Sequence, residues 1–201
     1  MKHLIVIFLL TVIVSTVYGQ VNPNGFNTFY HENGKKSSEG PFRDGKPDGY
    51  WMTYNEEEIL ISEGNRKNFL LDSTWKFYDN QGVLKMEINY SEGKKNGPRI
   101  TYREEEVLKE NFINDLKQGM TYYYYPDGSI KKTVFYENGL ENGLTRVYDT
   151  AGIIIELVTY RKGFITDRER INHWKAEFSS TKKQPITESY CFIPTNIVVF
   201  R

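Results

Sequence analysis

The chain has 201 residues, and its 26 lysines and arginines are balanced by 26 aspartates and glutamates. This balance excludes the strong positive field of a typical nucleic-acid-binding protein, and we expect no nucleic-acid partner. Aromatic residues make up 15% of the chain, which favours strands, and a lone cysteine, Cys191, excludes an internal disulfide framework.

Residues 1–19 are organised like a secretory signal peptide. Lys2 gives a positive start, an apolar run follows from Leu4 to Val14, and Val17–Gly19 has the residues of a cleavage site. The apolar run is shorter than the roughly 20 residues that a spanning helix needs. We therefore expect cleavage before Gln20, export to the periplasm, the cell surface or the medium, and no membrane span after cleavage. An uncleaved anchor is the alternative.

Residues 20–166 consist of six units, which we number one to six, with a period of about 24 residues. Each unit begins with a glycine, or once with a serine, and has a tyrosine five residues later. The unit starts are Gly25, Gly49, Ser73, Gly97, Gly119 and Gly143. The spacing between neighbouring starts is constant except from Gly97 to Gly119, where it is shorter by two. A fixed period of this length is typical of repeat proteins, in which each unit is stabilised by its neighbours.

Each unit has the pattern strand, turn, strand, turn. Apolar residues alternate in the second half of a unit, as in Leu84, Met86 and Ile88, which predicts a strand with one buried face. Two units carry Glu58 and Glu106 where the others have a turn glycine, and we expect looser turns there. We predict an all-β protein: an elongated, single-layer antiparallel β-meander of about twelve strands, about 55 Å long, with a C-terminal cap.

Residues 167–201 break the period. Asp167 and Asn172 stand where the next glycine and tyrosine are due, and the range 168–178 has the composition of a short helix. We interpret this segment as a cap over the last strand, because an uncovered edge invites association with other chains. Contact with a partner is the alternative.

The repeat resembles the MORN repeat in its bacterial variant form, over about residues 25 to 166. The shared features are the Gly-x-Trp/x-x-x-Tyr start, a turn glycine with Leu or Ile two residues later, glutamates such as Glu63 and Glu87, and the closing Tyr-x-x-Gly-x-x-x-Gly. The resemblance implies an elongated β-meander that acts in binding or assembly. Some bacterial members resemble antitoxin components of toxin–immunity pairs. The choline- and glucan-binding repeat is a weaker similarity, with a shorter period.

The sequence contains no constellation typical of catalysis. The mature chain has two histidines, His31 and His173, which lie in different regions without a partner at metal-ligand spacing. We therefore expect a protein that is not an enzyme and that has no catalytic residue, metal site or cofactor.

The candidate binding surface consists of aromatic residues at even offsets from the unit starts: Trp51, Trp75, Phe77, Tyr123 and Tyr125. Equal parity predicts that they share one face, opposite the recurring tyrosines, as a row of exposed rings. Such a row can anchor a protein partner, which we favour, with an antitoxin-like role implied by the resemblance. The alternatives are glycan or cell-wall binding by the same row, and simple packing of the rings along the sheet.

Overall fold

The computed structural model describes residues 21–171, which form one antiparallel sheet of 16 strands in chain order. The strands are β1 (Phe26–Tyr30), β2 (Lys36–Arg43), β3 (Lys46–Pro47), β4 (Gly49–Tyr54), β5 (Leu60–Lys67), β6 (Leu70–Tyr78), β7 (Leu84–Ser91), β8 (Lys94–Tyr102), β9 (Val107–Ile113), β10 (Leu116–Lys117), β11 (Gly119–Tyr124), β12 (Ile130–Glu137), β13 (Leu140–Glu141), β14 (Gly143–Tyr148), β15 (Ile154–Arg161) and β16 (Phe164–Arg170). The predicted all-β, single-layer meander is confirmed. Within residues 21–171 we find no helix that could span a lipid bilayer.

The six units form six hairpins: β1–β2, β4–β5, β6–β7, β8–β9, β11–β12 and β14–β15. The two-residue strands β3, β10 and β13 pair with the strand before each of them and belong to the return turns. Strand β16 pairs with β15, so the sheet continues to Arg170, past the predicted boundary at residue 166. A helix beginning at residue 168 is therefore wrong, and the rest of the predicted cap, like the predicted signal peptide, lies outside the described residues.

The backbone explains the glycine at the start of units two, four, five and six, where φ is positive. Gly49 has φ 112° and Gly97 has φ 109°, values that a side chain with a Cβ rarely adopts. The residue before Gly49, Asp48, donates its N–H to the Pro41 carbonyl at 3.0 Å, where the return turn joins the next strand. In unit three, Ser73 takes the place of this glycine with φ 58°. A serine rarely adopts this conformation, so its backbone is strained.

The turn at Glu58 is not looser than the others, contrary to the prediction. Asn55 donates its N–H to the Ile59 carbonyl, and Glu58 donates to the Asn55 carbonyl, both at 3.0 Å. The same pair of bonds closes the turn at Gly82, at 2.9 and 3.0 Å. Glu58 has φ 64°, so it adopts the conformation of the glycine that it replaces, at a cost in backbone strain.

The turn at Glu106 is shorter rather than looser. The Arg103 N–H donates a hydrogen bond of 2.9 Å to the Glu106 carbonyl, which closes the turn. Thr101 pairs with Leu108, seven residues on, whereas the equivalent pair of the preceding unit, Phe77 and Met86, is nine residues apart. The two residues missing from this hairpin account for the shorter spacing between Gly97 and Gly119.

One row of residues crosses the sheet and forms its core. We call the face that carries it the tryptophan face; the opposite, tyrosine face carries the recurring tyrosine hydroxyls. The register places these residues side by side on successive strands: Asn27, Gly40, Trp51, Gly64, Trp75, Ile88, Arg99, Glu110, Thr121, Val134, Thr145 and Val158. All are buried except Arg99, which is half-buried. The core is therefore a narrow stripe, which widens at β9 and β12, where Leu108, Phe112 and Tyr136 are buried beside it.

Two glycines in this row make room for the two tryptophans. A Cβ on Gly64 would lie 2.5 Å from the Trp75 ring, and a Cβ on Gly40 would lie 2.5 Å from the Trp51 ring. Each indole thus lies directly on the backbone of the preceding strand. The Trp75 N–H donates to the Asn65 carbonyl at 2.7 Å, which satisfies the polar atom of this buried ring.

Candidate functional site

The predicted row of exposed rings is wrong for the two tryptophans. Trp51 is 6% exposed and Trp75 is 2% exposed, because each indole lies flat over a glycine of the neighbouring strand. The even spacing correctly predicted that the two rings share one face of the sheet. It could not predict that a glycine lies beside each ring and lets the ring pack along the sheet.

The other three predicted residues do not complete a row. Phe77 is half-buried, and its ring centroid lies 6.2 Å from that of Trp75. Tyr123 lies two units further along the sheet and is half-buried. Tyr125 follows the end of β11, and its hydroxyl donates to the carbonyl of Tyr148 at 2.8 Å. The structure brings Trp75 and Phe77 together and leaves Tyr123 and Tyr125 apart from them; whether any of these residues binds a partner stays a prediction.

A groove of about 560 Å³ lies on the tryptophan face over the first two units. We call it the Arg66 groove. His31 and Glu56 line its end near the hairpin turns, Thr53 lines its middle, and Arg66 and Phe69 line its end near the return turns. The groove therefore extends along the direction of the strands, across the width of the sheet.

The groove exists because the row of residues next to the core row has small side chains at this point of the sheet. In this row, Phe29, Ser38, Thr53, Ser62 and Phe77 are neighbours on successive strands. Three small hydroxyl side chains thus stand between two phenyl rings. Ser38 and Thr53 line the low floor of the groove, and Phe69 is the phenyl ring that lines it, while Phe29 and Phe77 pack against the two tryptophans.

Arg66 carries the positive charge at one end of this groove. Its Nη1 donates to the Phe69 carbonyl at 2.9 Å, and its guanidinium lies 5.2 Å from the Trp75 ring and 5.8 Å from the Phe69 ring. Burial lowers the pKa of Arg66, although an arginine stays charged at neutral pH. No carboxylate of residues 21–171 lies within 4.0 Å of this guanidinium. The cation is partly desolvated and has no counter-charge in the described sheet.

The opposite end of the groove is polar, and a hydrogen bond to the backbone holds its His31 side chain in place. The Tyr54 carbonyl only accepts, so the 3.0 Å bond between it and His31 requires a proton on Nε2 of the imidazole. Glu56 is exposed beside it. In residues 21–171 we find no group of three or more histidines, cysteines and carboxylates that could hold a metal ion. The arrangement offers hydrogen bonds and charge to a ligand.

A second charged centre lies in the core row, and the sequence analysis missed it. Glu110 is 3% exposed; Arg99 donates from Nε to its Oε2 at 2.6 Å, and Lys117 Nζ lies 2.6 Å from its Oε1. The sequence does contain a sign of this centre. In β9, every second residue is apolar except Glu110, which stands between Leu108 and Phe112. The buried carboxylate lies between two cations, although Oε1 makes no hydrogen bond of suitable geometry, and we assign this centre a structural role.

The groove residues also left a signal in the sequence. Arg66 takes the place of the aromatic residue that closes every other unit, since Arg66 pairs with Gly49 as Tyr90 pairs with Ser73. Thr53 holds a position that units one and three fill with phenylalanine and unit four also fills with threonine, Thr101. Unit two alone combines this threonine with a missing closing aromatic residue, and the register brings the two into one groove.

An open sheet of stacked hairpins, with a solvent-open groove on one face, defines a β-repeat protein. Three stretches of the chain, residues 27–44, 71–92 and 117–138, match the family model of the MORN repeat variant. The chain therefore contains MORN repeat variants, and the matched stretches coincide with the hairpins β1–β2, β6–β7 and β11–β12. Such repeats are commonly binding modules without catalytic activity of their own. A search of curated proteins found no match.

Proposed function

We propose that this protein is an exported, non-catalytic repeat protein that binds a partner protein on its tryptophan face. The observation that carries the proposal is the Arg66 groove. Unit two combines Thr53 with Arg66, and together they leave a low floor and a partly desolvated cation, which takes the place of the closing aromatic ring of the other units. A stable repeat sheet does not require either feature, and a bound partner would use both.

Export is supported by the signal-peptide pattern of residues 1–19. Fractionation of producing cells tests it. A chain that begins at Gln20 in the envelope or the medium is the expected result, and a full-length chain confined to the cytosol would contradict export. The narrower role, neutralisation of a cognate toxin, is supported by the family resemblance alone.

A protein partner is favoured over a glycan because of the two tryptophans. Stacking on a sugar needs an exposed ring face, and the indoles of Trp51 and Trp75 are buried against glycines. The groove instead offers hydroxyls, a cation and the phenyl ring of Phe69, which suit an extended stretch of polypeptide.

Site-specific photocrosslinking in the cell envelope tests the proposal. A photoreactive phenylalanine derivative replaces Phe69, an exposed residue that lines the groove, or, as the control, the exposed Thr74 on the tyrosine face. We expect a discrete adduct from position 69 that excess unlabelled protein abolishes, and no such adduct from position 74. Absence of a saturable adduct from position 69, or equal adducts from both positions, would contradict binding on the tryptophan face.

A further inference from the structure

We propose that the Arg66 groove binds an extended peptide segment of the partner and that an acidic side chain of this segment pairs with the Arg66 guanidinium. This inference rests on the proposed function and adds the chemistry of the partner. Its three supports are the unpaired charge, the dimensions of the groove and the polarity of its two ends.

The charge of Arg66 distinguishes it from the other sequestered charges of the tryptophan face. Glu110 is buried and pairs with Arg99 and Lys117. Arg66 contacts only a carbonyl and two rings, and no described carboxylate lies nearby. A partly desolvated cation without a counter-ion is costly, and an incoming carboxylate would remove this cost through charge-assisted hydrogen bonds. The planar guanidinium also suits bidentate pairing with a carboxylate.

The groove has the length of a short extended peptide. It follows β4, whose six residues run from Gly49, opposite Arg66, to Tyr54. At about 3.3 Å per residue this strand is about 20 Å long, so an extended segment of about six residues would span the groove. The floor hydroxyls of Ser38 and Thr53 can both donate and accept, as the N–H and C=O groups of a peptide backbone require.

The two ends of the groove differ in charge. Arg66 lies at the end near the return turns, and Glu56 lies at the end near the hairpin turns. A segment with an acidic residue over Arg66 and a basic or neutral residue over Glu56 is complementary to both ends. An acidic segment without this polarity would meet repulsion at Glu56.

The test uses the full chain and a phage-displayed library of random dodecapeptides. Selection on the unmodified protein should enrich peptides that contain Asp or Glu within a six-residue core, and selection on Arg66→Gln should lose this enrichment. The best peptide is then synthesised with a dye, together with its analogue in which Asn or Gln replaces the acid. Fluorescence anisotropy should show at least about tenfold weaker binding for the neutral analogue and for Arg66→Gln.

Two further variants separate the groove from general effects. Thr53→Phe places in unit two the residue that units one and three carry at this position, so it should fill the groove and abolish peptide binding while Arg66 remains. Arg43→Gln removes an arginine whose side chain is 76% exposed and which does not line the groove, and binding should be unchanged. Arg66→Lys keeps the charge without the planar fork and should retain part of the affinity. Circular dichroism melting of each variant checks the fold.

Several results would overturn the inference. Peptides without acidic residues, or binding unaffected by both Arg66→Gln and Thr53→Phe, would contradict the carboxylate pairing. Saturable binding of oligogalacturonate in an Arg66-dependent manner, with no peptide selected, would assign the groove to an acidic glycan. If the crosslinked partner persists unchanged in Arg66→Gln, only this inference fails; if position 69 gives no saturable adduct, the proposed function itself fails.

Discussion

The Tyr78 hydroxyl donates a hydrogen bond of 2.5 Å to Oε1 of Glu63, which lies 15 residues earlier in the chain, on the tyrosine face. The same bond recurs at the same offset in two other units, from Tyr54 to Glu39 at 2.7 Å and from Tyr102 to Glu87 at 2.8 Å. In units five and six, Lys109 and Thr133 take the place of this glutamate, and the series ends. The tyrosine and glutamate of the repeat therefore join neighbouring hairpins to each other.

Tyr78→Phe should lower the free energy of unfolding by about 0.5–1.5 kcal/mol, the usual net contribution of a hydrogen bond. It removes the hydroxyl, keeps the ring and leaves the partly buried Glu63 without this donor. Urea unfolding followed by circular dichroism measures the change. Tyr148→Phe is the matched control, because its unit has Thr133 instead of the glutamate. Equal losses in the two variants would show that the hydrogen bond contributes nothing specific.

The Tyr54 hydroxyl should make stability depend on alkaline pH. Burial, followed by the hydrogen bond to Glu39, raises the pKa of Tyr54 from 10.0 to about 12. The folded state thus favours the neutral phenol; this stabilisation is complete below pH 10.0 and disappears as pH rises through about 12. The stability difference between the wild type and Tyr54→Phe should shrink over this range. Glu39→Gln should lower the pKa of Tyr54 in an absorbance titration, and an unchanged pKa would refute the assignment to Glu39.

Much of the fold could be predicted from the sequence because its signals are local. The turn glycines and the alternation of Leu84, Met86 and Ile88 identify hairpins without reference to distant residues. The burial of Trp51 could not be predicted in this way, since it depends on Gly40 in a different strand. Whether a ring lies over a glycine of the neighbouring strand can be predicted only when the register of the two strands is known.

The groove was even harder to predict from the sequence, because it also depends on residues in different strands. In the sequence, Arg66 is visible only as a departure from the closing aromatic residue, and Thr53 only as a small residue that unit four shares; each alone has an ordinary structural explanation. The pairing of β4 with β5 and of β5 with β6 places them in one groove, beside Trp75. Repeat proteins therefore carry part of their functional signal in the positions where a unit departs from the common pattern.

Gly64→Ala should destabilise the sheet by about 1–3 kcal/mol through overpacking. The new Cβ would lie 2.5 Å from the Trp75 ring, and Gly64 has an ordinary negative φ, so the cost is steric. The double variant Gly64→Ala/Trp75→Leu tests the cause. In the Trp75→Leu background, the added methyl should cost less than half as much, as a double-mutant cycle would measure. Strict additivity of the two substitutions would exclude contact with the ring as the origin.

Glu58→Gly should raise the free energy of unfolding by about 1 kcal/mol, because glycine adopts a positive φ without the steric cost of a Cβ. Glu58 has φ 64° in a turn that otherwise matches the glycine turns. Glu57→Gly in the same turn removes the same charge at a residue without positive φ, so it should be neutral or destabilising. Thermal unfolding compares the two variants. A similar gain from both would attribute the effect to lost charge repulsion instead of the backbone.

Glu110→Val should cost about 3–5 kcal/mol, although it introduces the apolar residue that later units carry in the core row. Glu110 is the counter-ion of Arg99 and Lys117, and its removal leaves both cations partly buried without a carboxylate. Arg99→Thr/Glu110→Val reproduces the Thr–Val pairing of Thr121 with Val134, and it should recover most of the loss. Urea unfolding of the single and double variants measures the recovery. A double variant as unstable as Glu110→Val would mean that the row needs the ion pair itself, not merely an absence of unpaired charge.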